Sequence, residues 1–229
     1  MTIATRLAAV RERVAAAARA AGRDPADITL VAVGKTFGVD VVSEAIDAGA
    51  TDIGENRAQE LRDKVAVLGA RARWHFIGPL QSNKVRLVVG SHVVLIHSVD
   101  RFGVAEAIGR RAASLGFEQD VLVEVNVGGE ATKHGVEPPR AVTLATEISQ
   151  LPGVSVRGLM AIPPRGDDEA RHHFQTLAAL GHDVAAEIPG ATELSMGMSH
   201  DFEVAIEEGA TIVRVGQAIF GPRPLPKKR

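Results

Sequence analysis

Lys35 ends the apolar run ITLVAVG, residues 28–34. An amine held against an apolar wall loses hydration, its pKa falls, and it becomes a better nucleophile toward an aldehyde. A plainer role also fits, with the lysine stem on apolar surface and its head in solvent. A second stretch, ELSMGMSHDFEVAI (193–206), places Ser195, Gly197 and Ser199 in a small-residue loop just before a helical pattern. A third, IVRVGQAIFGPR (212–223), places Gly216 and Gln217 after a strand pattern, opening a short helical one. Small residues let an anion approach backbone N–H groups, and a helix N-terminus favours negative charge there. Arg214 lies two residues before Gly216 and shares its face of the strand. Inside an apolar strand it needs a partner: a core carboxylate such as Glu124, or an acceptor on a bound molecule.

These residues must be positioned by regular elements, and the chain alternates two periods. Short apolar runs at 28–34, 51–54, 74–78, 93–97, 121–127, 156–162, 193–197 and 212–216 read as strands, with helical spacing between them. In 101–115, Val104, Ile108, Ala112 and Leu115 form one stripe, with Asp100 as the expected N-cap and Gly116 as the stop. Ala45–Thr51 (AIDAGAT) and Ala205–Thr211 (AIEEGAT) are identical at five of seven positions, an echo of repeated units. Strands alternating with helices pair in parallel through right-handed crossovers. Eight units predict a closed (β/α)8 barrel, a TIM barrel, as a single α/β domain over 1–229 with its core at about 28–221. An open doubly wound sheet is the alternative, but no G-x-G-x-x-G follows an early strand. The N-terminal segment could be taken for an Arg-rich transit peptide, yet Leu7, Val10, Val14 and Ala18 recur at helical spacing before Gly22, which predicts an extra N-terminal helix. Residues 222–229, rich in Pro and basic residues, read as a flexible tail.

A barrel gathers the C-terminal ends of its strands at one mouth, where such folds place their sites. Read along the chain, those ends are Lys35, Glu55 and Asn56, His75, His97, Asn126, Met160, the stretch 195–199 and Arg214. The loops after strands seven and eight are the usual phosphate site of barrels. With a strand-end lysine in the same mouth, they suggest a phosphorylated aldehyde, for which pyridoxal 5′-phosphate (PLP) is the obvious candidate.

Other chemistries are disfavoured. The chain has no cysteine, which removes thiolate catalysis, disulfides and Cys-based zinc sites and suits a reducing compartment. A net charge of -2 and the lack of tyrosine argue against nucleic acid as a partner, and no apolar run is long enough to span a bilayer. His75, His97, His134 and His200 share no metal-ligand spacing, so no metal is expected and structural or surface roles are. WHFIGPLQSNK (74–84) reads as a strand end followed by a capped helix start, with Pro79 near the first turn.

Taken together, GKT (34–36), GEN (54–56) with Gln59 and Glu60, HFIGPLQSNK (75–84), GLMAIP (158–163), SMGMSHDFEVAI (195–206) and VRVGQAIFG (213–221) resemble the pyridoxal phosphate homeostasis proteins. These are single-domain PLP-binding relatives of the alanine racemase barrel, and the resemblance runs from about 28 to 221 with the motifs in family order. It implies that Lys35 carries PLP as an internal aldimine. It further implies that Ser195, Ser199, Gly216 and residue 217 hold the phosphate, with Met196 of the same loop among the cofactor-binding residues. Asn56 would lie beside the ring and Arg214 would meet the pyridine nitrogen. Two positions depart from the family: Gln217 stands where relatives often carry Thr or Ser, and Arg57 where they often carry Tyr.

The resemblance implies a role in PLP (vitamin B6) homeostasis and amino-acid balance, holding the cofactor without robust catalysis. A PLP-dependent amino-acid racemase is the alternative, and a Schiff-base aldolase acting on a sugar phosphate is a third reading. In the related racemase a tyrosine from a β domain supplies the second base; this chain has no tyrosine and ends shortly after its eighth strand. His75, His200 and Lys84 are the remaining candidates for that base. The expected molecule is a cytoplasmic monomer whose partners are PLP and PLP-dependent apo-enzymes.

Overall fold

The computed structural model describes residues 1–90, 92–130, 132–164 and 167–222. The first helix, α1 (Ile3–Ala20), buries Leu7, Val10, Val14 and Ala18, the stripe its sequence spells, and the side chain of Thr2 caps its N-terminus. Gly22 then turns the chain with φ 70°, a conformation in which a Cβ is unfavourable.

Eight parallel strands follow: β1 (Thr29–Val33), β2 (Asp52–Glu55), β3 (Arg73–Phe76), β4 (Val93–Val99), β5 (Gln119–Val125), β6 (Val154–Ala161), β7 (Glu193–Ser195) and β8 (Ile212–Val215). Each pairs with the next, and β8 pairs with β1 to close the barrel. Every expected strand is present, within a few residues at each end. β3, β5 and β7 each stop two residues short of the expected end, and β7 stops at Ser195 ahead of Gly197, where the chain takes φ 90°. The crossovers carry α2 (Val39–Asp47), α3 (Ala58–Leu68), α4 (Val85–Val88), α5 (Phe102–Ser114), α6 (Ala141–Ser149), α7 (Asp167–Glu187) and α8 (Phe202–Glu207), and α9 (Gln217–Phe220) follows β8.

Two apolar layers hold the barrel. The outer and larger one packs strands against helices, with Trp74, Phe76, Phe174 and Phe202 fully buried. The inner one is small: Val31, Val33, Leu95, Leu122, Met160 and Ile212. Strand alternation sends Val31 and Val33 inward and so aims residue 35 at the mouth, while Ile212 and Arg214 face inward from β8. The rest of the interior is polar, and the site grows out of it.

The internal echo is a shared local structure. After α2, Gly49 takes φ 101° and the Ala50 amide donates back to the Ala45 carbonyl at 2.9 Å. After α8, Gly209 takes φ 101° and Ala210 donates to Ala205 at 2.8 Å. One helix-to-strand turn is thus written twice. Two expectations for the connections fail. Asp100 does not cap α5: Arg101 holds the N-cap position without a side-chain bond, and the Asp100 carboxylate instead takes a bond from the Arg101 guanidinium (2.7 Å) and lies 3.7 Å from His134. The segment after Pro79 forms a 3-10 turn (Ser82–Lys84) running into α4, again without a side-chain cap.

The ends of the barrel meet. Arg6 of α1 donates from Nε to the Ile219 carbonyl (2.6 Å) and from its terminal nitrogen to that of Phe220 (3.3 Å). No described helix is long and apolar enough to cross a membrane. The expected tail lies outside the described residues apart from Pro222.

Candidate functional site

At the C-terminal end of the strands a cavity of about 540 Å³ opens. Of the residues expected at a PLP site, Lys35, Asn56, Ser199, Arg214, Gly216 and Gln217 line it. Ser195 and Met196 do not: both are fully buried beneath it. Ser195 hydrogen-bonds inside the barrel, and Met196 belongs to the outer apolar layer. Sequence reading had missed the far wall of Ile162, Pro163 and Pro164, together with Met198 and Asp201.

Lys35 sits on a turn pinned at several points. The Gly34 amide donates to the Gly54 carbonyl at 3.0 Å, and the Phe37 amide closes the turn onto Gly34 at 3.2 Å. Thr36 takes φ 72°, a left-handed conformation that costs a β-branched residue about 1–3 kcal/mol. Its amide donates to Glu60 Oε2 at 3.3 Å, which holds it there. Behind the turn, buried Lys64 donates to the Gly34 carbonyl (3.0 Å) and to the buried carboxylate of Glu55. Burial pushes the Glu55 carboxyl upward, with Lys64 opposing. Phe37 stacks on Phe220 of α9, with ring centroids 5.2 Å apart. GKT, GEN and Glu60 thus form one scaffold for a lysine.

Asn56 is set by a close backbone approach. A Cβ on Gly78 would lie 2.1 Å from the Asn56 carbonyl oxygen, so the glycine of HFIGP is required for β2 and β3 to end side by side. The Asn56 Oδ1 is buried and has no partner, although the residue lines the cavity. A buried orphan acceptor calls for a donor from a ligand or water. Across the mouth, Asp201 Oδ1 accepts the Met198 amide at 2.6 Å, and Ser199 Oγ accepts the Ala218 amide at 3.4 Å. The first bond closes the loop after β7 on itself, and the second joins it to the start of α9 after β8. Gln217 opens α9, whose first turn carries N–H groups without intrahelical acceptors.

Arg214, 3% exposed, forms the cavity floor. Its partners differ from the ion pair with Glu124 considered from sequence: it donates to Ser195 Oγ (2.5 Å) and to the Ala161 carbonyl (3.0 Å). Burial pulls its pKa down to about 10, opposed by Glu124 and Asp201, so it stays charged at neutral pH. Glu124 feels the converse: burial and Asp100 push its carboxyl up to about 7, against the pull of Arg214. The folded state therefore holds the Glu124 proton more tightly than the unfolded chain, and stability falls as pH rises from about 4.5 toward 7. Urea unfolding of the ligand-free protein is expected to show a decline on the order of 3 kcal/mol across that window. Glu124→Gln should flatten it.

His75 and His97 are not at the mouth. They lie within β3 and β4 and are buried, which fits the structural role expected of them. Among the described residues no group of three or more His, Asp or Glu is placed to hold a metal.

The family model for the N-terminal domain of alanine racemase matches residues 5–224. The chain is 47% identical over 227 residues to the pyridoxal phosphate homeostasis protein of Aquifex aeolicus, covering 97% of this chain and 99% of that one. It is 45% identical over 225 residues to the protein of the same name from Pseudomonas aeruginosa, covering 97% and 96%. A solved structure of PipY from Synechococcus elongatus, with PLP bound, matches with a TM-score of 0.82 at 35% identity, over 96% of this chain and 100% of that one. A family model over nearly the whole chain and relatives this similar along their full length place it plainly: the chain belongs to the pyridoxal phosphate homeostasis proteins, a family built on the alanine racemase N-terminal barrel.

Proposed function

We propose that this protein binds PLP in the 540 Å³ cavity, with a Schiff-base link to Lys35, and serves PLP homeostasis and amino-acid balance rather than sustained catalysis. The observation that carries the reading is the convergence on that cavity of Lys35, the cationic Arg214 and the orphan Asn56 Oδ1. PLP when bound supplies an aldehyde for imine formation and a ring that can accept electrons. Lys35 would be the attachment point, and Ser199, Gly216 and Gln217, which line the cavity, would hold the phosphate. Gln217 brings a backbone N–H but no hydroxyl. Asn56, which lines the same cavity, would lie beside the ring. Arg214 is a donor only, so at the ring nitrogen it favours the unprotonated form and weakens the electron sink.

A racemase needs a second proton-transfer group opposite the lysine. The chain has no tyrosine. Of the residues considered for that role, His200 lines the cavity, while Lys84 does not and His75 is committed to partners inside the barrel. The reading extends to a cytoplasmic monomer that passes PLP to apo-enzymes, which sedimentation and a transfer assay to an apo-enzyme measure. The purified protein supplied with PLP should show visible Schiff-base absorbance. Absence of any such band sinks the PLP reading, and D/L amino-acid interconversion at about 1 per second or faster sinks the non-catalytic one.

The phosphate position has its own test. Ser199→Asp places a carboxylate against the phosphate dianion, and PLP retention measured by dialysis should fall about tenfold or more. Unchanged retention removes the loop after β7 from the phosphate site.

A further inference from the structure

Four hydrogen bonds in series cross the barrel interior. Asp52 Oδ1 lies 2.9 Å from His75 Nε2, and His75 Nδ1 lies 2.9 Å from His97 Nε2. His97 Nδ1 is 2.8 Å from Ser195 Oγ, which is 2.5 Å from an Arg214 terminal nitrogen. All five residues are buried, at 5% exposure or less. Asp52 borders a second cavity of about 340 Å³ at the opposite end of the barrel, so the chain runs from one cavity to the other.

The polarity of each link follows from donor and acceptor chemistry. Arginine only donates, so Ser195 Oγ accepts from Arg214. Burial pushes Asp52 upward, but bonds from His75 and Thr51 outweigh it and hold the carboxyl below its ordinary value. An ionised Asp52 only accepts, so His75 Nε2 carries a hydrogen. Burial above all, with the Arg214 cation adding, drives His97 well below the usual histidine range, so His97 is neutral. His75 meets Asp52 through Nε2 and His97 through Nδ1, so the hydrogen that Asp52 requires on Nε2 leaves Nδ1 as the acceptor for His97. Arg73 already stands 3.4 Å from Asp52 on its other side.

We infer that His75 and His97 are positioning residues: both are neutral Nε2–H tautomers, every bond points from Arg214 toward Asp52, and the Ser195 hydroxyl hydrogen is thereby committed to His97. The Ser195 lone pair is then fixed on Arg214, which is held away from Glu124 and presented to the cofactor ring. This rests on the PLP reading only for its last step. His75 Nε2–H donates to Asp52, His97 Nε2–H donates to His75 Nδ1, and Ser195 O–H donates to His97 Nδ1. No donor in the series lacks an acceptor.

Ring-nitrogen NMR of the full chain labelled in histidine tests the tautomers, with and without PLP. Assignment uses loss of signals in His75→Gln and His97→Gln. Both rings should show a protonated Nε2 and a bare Nδ1, unchanged from pH 5.5 to 8. An Nδ1–H tautomer, or an imidazolium at His75, overturns the chain. The positioning role is read in the PLP-loaded protein. His97→Phe fills the space but cannot bond, and should raise the PLP dissociation constant about tenfold and move the pH midpoint of the visible band. His97→Gln, which both accepts and donates, should return both toward wild type. A His97→Phe protein with wild-type retention and an unmoved midpoint overturns the role. Should His97→Phe not fold, Asp52→Asn at the far end must shift the tautomer signals, and unshifted signals overturn the chain. Because the NMR measurement does not need PLP, failure of the chain and failure of the PLP reading give different results.

Discussion

Lys35→Ala should yield a folded protein with no Schiff-base absorbance at any PLP concentration. PLP retention should weaken on the order of a hundredfold or more, since a covalent link gives way to noncovalent contacts alone. The fold should survive because Lys35 contributes little to either apolar layer, and its turn is held by Gly34, Thr36 and Phe37 through their own bonds. Lys35→Arg is the informative companion: it keeps a cation at the mouth but forms no imine with an aldehyde. If Lys35→Arg or Lys35→Ala retains the visible band, attachment is elsewhere. Circular dichroism and the thermal midpoint separate a lost site from a lost fold.

The second large effect is expected at a residue that does not line the cavity. Lys64→Met removes the cation from a buried pair and strands the Glu55 carboxylate, whose burial is complete. Breaking one side of such a pair typically costs about 3–5 kcal/mol, roughly a 6–20 °C fall in midpoint for a chain of this size. Glu55 can relieve part of the cost by taking up a proton. Its folded pKa is already raised, so the folded state binds that proton more tightly than the unfolded chain does, and the penalty shrinks as pH falls toward the unfolded value. The variant should therefore be closer to wild type at pH 5 than at pH 8, and Glu55→Gln in the same chain should recover much of the loss at pH 8. Equal deficits at the two pH values would mean the damage is packing rather than stranded charge. Lys64 also donates to the Gly34 carbonyl, so PLP retention should fall alongside stability.

The eight strands were legible because they are short apolar runs, all but the fourth closed by Gly or Pro, and parallel strands covered by helices have no reason to alternate. Lys35, Arg214 and the loops after β7 and β8 were legible because strand ends in a barrel all point to one mouth. The chain from Asp52 to Arg214 was not. Its members lie on β2, β3, β4, β7 and β8, and nothing in a sequence says which inward residues of different strands sit at one height. His97 looked like a strand-end residue because β4 continues to Val99, two residues beyond the apolar run that defined it. Asp100 looked like a cap because it precedes a helical stripe, but the carboxylate had a nearer cation in Arg101. Ser195 and Ser199 looked equivalent in SMGMS. The turn at Gly197 separates them, sending one into the interior and the other to the cavity.

The contact between Arg6 and the carbonyls of Ile219 and Phe220 joins residues more than two hundred positions apart. Phe220 in turn stacks on Phe37, two residues from Lys35. On the ribosome, α1 and the lysine turn emerge well before the helix that completes their surroundings. A partly synthesised chain therefore exposes Lys35 without the wall that shapes its pocket. On the proposed reading, the site around Lys35 is complete only once Phe220 has packed on Phe37, so the closure of the barrel and the assembly of the pocket are one event.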